Sequence, residues 1–377
     1  MNYNSQLSLK LPLLKMLAST ILKSAFLALV PSASALAFPG AVGFGSSATG
    51  GTGGTSYVVS NLDDSGAGSF RDAVSESNRI ITFSVSGYIQ LESAVSLSSD
   101  ITINGTTAPS PGIGIMAGEV SASDKDNIII VGLRMRQGSL DSDTGKSAFN
   151  MGGGSNIILD HCSFAYGQWD SVDAVGAVNI TVSNSIIAFP IGQQFGAHVE
   201  TGPATFFGNL WVSIHNRQPL AKSNTQYINN VIYNYQAAYT TADTSGDFSH
   251  DILYNYFITG PSTTSASDRY YQIESNQQAY AVGNYGDASN DGTLNGAQEN
   301  QIGDATVLDA PWESTSTTIV KWSAADAVTN VLASAGAQPR DEVDALAVSQ
   351  VKSYGTEGTI YGDQDDTGLS NGGYGTL

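Results

Sequence analysis

The chain has 377 residues and a formal net charge of −19 at pH 7, with 15 Lys and Arg set against 34 Asp and Glu. So acidic a composition argues against nucleic acid and anionic membrane surfaces as partners, because both are bound through many Lys and Arg. With 41 glycines, abundant Asn and Ser and only 13% charged residues, the chain reads as all-β, rich in turns and poor in helix.

Residues 1–37 read as a signal peptide. Lys10, Lys15 and Lys23 precede the apolar stretch Ala25 to Val30, and Ala35-Leu36-Ala37 offers a small-residue cleavage site. Residues 38–377 are then the mature, secreted domain, expected to be a monomer, and no later run approaches the roughly 18 apolar residues of a membrane span. Cys162, the only cysteine, lies in an expected strand and reads as an inert buried thiol.

In chain order, Gly50-Gly51-Thr52-Gly53-Gly54 lacks the Gly-Lys-Ser/Thr ending of a phosphate loop and reads as tight turns. Tyr57 to Asn61 follows as a strand, and Ser69 to Asn78 as a short helix. From about residue 80 to 290 short β-branched runs recur, each broken by Asn, Asp or Gly. The breaking residues are Asn104, Gly132, Asp160, Asn184, Asn209, Asn230, Asn255 and Asn284, at intervals of 21 to 29. That period, with more than one strand per repeat, matches the coil of a single-domain parallel β-helix. Asn at a recurring bend is expected to adopt the left-handed conformation and hydrogen-bond along the stack. Ala324 to Ala335 reads as a helix, and residues 353–377 as a Gly- and Asp-rich tail, both packed on the β-helix.

Two cations stand out in this acidic chain. Arg217 and Lys222 bracket Pro219, which cannot donate to a ladder, so they belong at a strand end or bend suited to an anionic ligand. His215 shares a face with Arg217 by period two. Residues one coil apart lie about 4.8 Å from each other, so Asp160 and Asn184, or Asp170, Asp173 and the chain one coil away, can share a face. Asp141 and Asp143 are further carboxylates for an oxygen-rich Ca²⁺ site. His161, His198, His215 and His250 show no metal-ligand spacing, and no Gly-x-Ser-x-Gly elbow is present. Asn104 and Asn179 are the expected glycan acceptors of a secreted chain.

Several ordered stretches resemble the pectate lyases, especially the fungal secreted branch: Ala37-Phe-Pro-Gly-Ala-Val-Gly-Phe-Gly45, Ser60 to Val74, Ile103-Asn-Gly-Thr-Thr-Ala-Pro109, Asn156-Ile-Ile-Leu-Asp-His-Cys-Ser-Phe164, Asn179 to Asn184, and Arg217-Gln-Pro-Leu-Ala-Lys222. The resemblance implies a right-handed parallel β-helix with peripheral loops and short helices, and β-elimination of a 1,4-linked uronate polymer such as pectate or pectin. It also implies that Arg217 is the catalytic arginine, taking the proton, and Lys222 the second basic residue, binding the carboxylate; because a free guanidinium is a poor base, Lys222 or His215 as base with Arg217 as clamp is the alternative. Lys146, His215 and Trp169 are expected to contact the sugar.

Two departures bear on metal use. Ser147 stands where similar proteins carry Asp, and Trp169-Asp170 stands where they carry Asp-Glu, so the expected calcium site loses two carboxylates. Asp170 and Asp173 remain as ligands, and any Ca²⁺ is expected either to bind weakly, mainly through bound substrate carboxylate, or to be absent, with Lys146 taking over neutralisation. A uronan hydrolase using Asp160, Asp170 or Asp173 as acid and base, or a non-catalytic carbohydrate-binding solenoid, are the competing readings. Replacing Arg217 by Ala is expected to abolish turnover and spare the melting temperature, since an exposed cleft arginine contributes little to folding.

Overall fold

The structure, a computed structural model, describes residues 36–140, 145–241 and 245–377. The signal-peptide reading therefore falls almost wholly outside the described residues, as do Asp141 and Asp143.

The chain winds as a right-handed parallel β-helix. Each coil contributes a strand to each of three faces, and the period-two alternation of every strand sends one set of side chains inward. The resulting columns are apolar: Ile103, Ile130, Leu159, Val182, Phe206, Tyr227 and Ile252 lie in register, one coil above the next, and all are buried. Each such aliphatic side chain contributes about 1.5–3 kcal/mol by leaving water. Two faces run into one continuous sheet because the strands Phe195–Phe207 and Leu220–Ile228 pass through the corner between them. The stack is longer than the expected span of 80 to 290, since Thr55–Val59 already pairs with Arg79–Phe83 and Gln278–Val282 pairs with Thr306–Val307.

The breaking residues resolve into three successive positions of one turn. Asn104 and Asp160 end strands; Gly132, His161, Asn184, Gly208, Asn229, Tyr254 and Gly283 follow such ends with φ between 48° and 69°. The left-handed residue thus precedes Asn209, Asn230, Asn255 and Asn284, and the sequence expectation is off by one there. These four instead point inward as a buried ladder, Nδ2 of each donating to Oδ1 of the next at 3.0, 3.1 and 2.9 Å, and Asn284 donating to Asn300 at 3.2 Å. Each amide also satisfies backbone groups that a buried turn would leave unpaired.

Gly50 and Gly54 lie in turns, and the amides of Thr49 and Gly50 donate to Asn127 Oδ1, tying the amino-terminal segment to a coil. The first helix is Phe70–Ala73, capped by Ser69, shorter than expected. Ala324–Ser334 is a helix as read, and a further helix, Glu342–Lys352, was not anticipated. Asp341 caps it, and Val343, Ala347, Val348 and Val351 bury one face against the sheet that contains Ile186, Leu210 and Val231. Asp341 and Asp344 pair with fully buried Arg136 at 2.9 and 2.7 Å.

Candidate active site

The site occupies the outer side of the face formed by Phe149–Asn150, Asp170–Ala174 and the first halves of Phe195–Phe207 and Leu220–Ile228. Register places Asn150, Asp173, His198 and Leu220 on consecutive coils. Val172, Ala174, Ala197, Val199 and Ala221 fill the core, so the alternate residues Asp173, His198, Glu200 and Lys222 project outward.

Glu200 stands opposite Lys222 in register. Its Oε1 accepts from His198 Nε2 at 3.0 Å and lies 3.5 Å from Lys222 Nζ. Burial first, and then the Arg217 charge, hold the His198 imidazole below its ordinary pKa, which favours its uncharged form. With Nε2 donating to Glu200, Nδ1 is the free acceptor.

Arg217 adopts φ 69° at the bend before Lys222, joined by a cis Gln218–Pro219 bond to the strand. The strand begins only at Leu220, so Lys222 lies inside it and the period-two relation of His215 to Arg217 does not hold. Both nonetheless pack on Phe195: the guanidinium carbon sits 3.9 Å from the ring centroid, and the His215 ring stacks at 6.3 Å. Trp169, 40% exposed, meets the same ring edge-on at 5.8 Å. Beneath them Asp170, fully buried, accepts from Arg217 Nη1 through Oδ1 at 3.1 Å and Oδ2 at 2.9 Å. Burial pushes the Asp170 carboxyl up to about 7, against the attraction of Arg217 and with reinforcement from Asp173. Among the described residues, Nε and Nη2 of Arg217 have no protein hydrogen bond.

On the amino-terminal side Lys146 Nζ lies 3.6 Å from Glu119, whose other oxygen accepts from the Ser147 amide at 2.9 Å. Burial raises the Glu119 carboxyl. The structure thus gathers Arg217, Lys222, Lys146, His215, Trp169, Asp170 and Asp173 on one face. It excludes Asp160, which ends a strand of another face and is held by His161, Ser183 and Asn184 at 2.6, 2.7 and 2.9 Å; that carboxylate is a rung of the stack. Cys162 is buried and its thiol is pushed up to about 12. Asn104 caps a short helical turn, whereas Asn179 Nδ2 donates to Asn156 at 3.3 Å.

Among the described residues the carboxylates do not form a calcium cage. Ca²⁺ takes six to eight oxygens, but both Asp170 oxygens are on Arg217, Glu119 is engaged by Lys146 and Ser147, and Asp173 Oδ1 accepts from the Val175 amide at 2.9 Å. Among the described residues no three His, Cys, Asp or Glu converge as a metal-holding group. Sequence reasoning missed Glu119, Phe195, His198 and Glu200. The signal was one-coil arithmetic, since Phe195 and His198 stand directly over Asp170 and Asp173.

No family model matches the chain. It is 39% identical over 343 residues to the probable pectate lyase C of Emericella nidulans, covering 88% of this chain and 80% of that protein. Identity to the probable pectate lyase C of Aspergillus flavus is 38%, covering 88% and 81%. Among solved structures, a thermostable pectate lyase, PL 47, superposes with TM-score 0.60 at 14% identity over 80% of this chain and 98% of that one. Pectate lyase Bsp165PelA from Bacillus sp. N165, solved with trigalacturonate, gives 0.55 at 18% identity over 79% and 98%. At such identities the structural likeness concerns the fold.

Proposed function

The chain belongs to the pectate lyase family and is a polysaccharide lyase acting on pectate; on that premise we propose that Arg217 and Lys222 carry the reaction. The supporting observation is the Arg217 guanidinium, anchored through Nη1 by buried Asp170 and packed over Phe195, with Nε and Nη2 left for substrate. In the elimination a base takes the C5 proton, the C5–H electrons form the C4–C5 double bond, and the C4–O4 bond breaks with the leaving oxygen gaining a proton. Charge develops on the C6 carboxylate, so fixed cations beside it lower the barrier. Arg217 acts at C5 and Lys222 binds the carboxylate. Trp169 and His215 offer ring faces to the sugars, and Lys146 supplies a further cation.

A second reading of the base rests on His198. A guanidinium in water holds its proton far above neutral pH, whereas burial and the nearby charges of Arg217 and Lys222 favour the uncharged His198 imidazole. In that reading Arg217 clamps the carboxylate.

We further propose that calcium is held weakly at this face and that the protein is secreted, with Asn104 the better placed of the two glycan acceptors.

The test is polygalacturonate turnover followed by the ultraviolet absorbance of the unsaturated product and by new reducing ends. Elimination yields both, hydrolysis only the second and a binder neither. Arg217→Ala is expected to abolish the absorbance. His198→Ala retaining most of kcat removes the histidine reading; a loss equal to that of Arg217→Ala supports it.

A further inference from the structure

The groove continues past Arg217 on its carboxy-terminal side. A cavity of about 160 Å³ is lined by His215, Asn216, Gln236, Thr264, Asp268 and Tyr271. Asp268 and Tyr271 also line the next cavity, of about 390 Å³, with Arg269 and Glu299. Backbone register aligns the two with the reaction centre. Asp170 pairs with Phe195 and Phe195 with Asn216, the Gln218 amide donates to Ala238, and the Ala238 amide donates to the Asp268 carbonyl. Asp268 thus stands two coils beyond Arg217, roughly 9.5 Å along the axis. A polymer held at Arg217 that fills both cavities passes over it.

The charges along this path do not suit an unbroken row of carboxylates. Lys146, Arg217 and Lys222 each already face an acid, at 3.6, 2.9 and 3.5 Å. Beyond Arg217 the lining is amide, hydroxyl and aromatic; among the described residues no cation pairs with Asp268, and Arg269 is paired to Glu299 at 3.0 Å. A uronate carboxylate over Asp268 meets a like charge, which disfavours the ionised form. A methyl ester there brings no charge, and the amides of Asn216 and Gln236 can hydrogen-bond its carbonyl.

Resting on the lyase reading above, we infer that this arm of the groove selects esterified or otherwise uncharged sugars. The preferred substrate is a partly methyl-esterified galacturonan that presents a carboxylate at Arg217 and neutral residues over Asp268. Asp268 is the specificity-determining residue.

The experiment measures kcat/KM by ultraviolet absorbance on galacturonans of graded methyl-esterification, at fixed ionic strength and calcium, for the full chain and its Asp268→Asn and Asp268→Lys variants. The rate is expected to pass through a maximum at partial esterification. Asp268→Asn is expected to raise the ratio of the de-esterified to the half-esterified rate about threefold, the size of a Coulomb term between unit charges roughly 7 Å apart in water, and Asp268→Lys to raise it further. A rate that falls steadily from the fully de-esterified polymer, or a ratio that neither variant moves, overturns the inference and leaves the lyase reading intact. Absence of ultraviolet product on every polymer overturns both.

Discussion

Asp170 and Arg217 are 47 residues apart in sequence, and both oxygens of the buried carboxylate meet one guanidinium nitrogen, at 3.1 and 2.9 Å. The pair is where fold and chemistry join, because the coil geometry that brings them together also fixes the direction of the Arg217 guanidinium.

Activity should depend on the protonation of Asp170. Its carboxyl titrates at about 7 in the folded chain, raised by burial, so lowering the pH through 7 neutralises it and loosens the anchor. The acid limb of kcat/KM is expected near that pH. Asp170→Asn, of similar volume, should flatten the limb and cost on the order of 10²-fold in kcat through misplacement of the guanidinium. A limb unchanged in the variant would sever the link.

Stability follows the same group with the opposite sense. Between its ordinary value of 3.8 and about 7 the folded chain holds a proton that the unfolded chain has released, so this term favours folding at the acid end and is lost as pH rises through 7. Arg217→Ala removes the compensating charge. The sequence expectation that this substitution spares the melting temperature is therefore revised, since the arginine side chain is only 17% exposed and its partner 1%. Above pH 7 the variant should lose about 3–5 kcal/mol, the cost of orphaning a buried charge, and much less at pH 5. Urea unfolding at the two pH values measures the difference.

The asparagine ladder should be costly to interrupt. Asn230 Nδ2 donates to Phe206, Ile228 and Asn255, and its Oδ1 accepts from the Asn209 backbone and side chain. Asn230→Ala strands several buried groups at about 1–3 kcal/mol each. A loss of at least about 3 kcal/mol is expected in denaturant unfolding, and a smaller loss would mean that water fills the gap.

Calcium should bind weakly to the free protein. The acids at the site are already engaged by Arg217, Lys146 and backbone amides, so a metal must displace them. Calorimetry on chelator-treated protein without substrate is expected to show little heat. A dissociation constant at or below about the micromolar range of calcium sensors would refute this.

The sequence by itself determined the coil. Apolar residues at period two and turn residues every two dozen positions permit little else, because each run can bury its side chains only against an equivalent run. The conspicuous cations Arg217 and Lys222 were legible for the same reason, as charges beside a proline in an acidic chain. The exact bend was not, since Gly132, Asn184 and Asn209 all look like turn residues and only the wound backbone separates the left-handed position from the inward ladder. Nor were the partners. Glu119, Phe195, His198 and Glu200 carry no local motif and acquire meaning only when stacking brings Glu119 to Lys146 and the others to Arg217 and Lys222. Burial decided the rest: it turns Asp170 from one surface acid among many into an anchor titrating near 7, and burial belongs to the packed chain, not to any stretch of it.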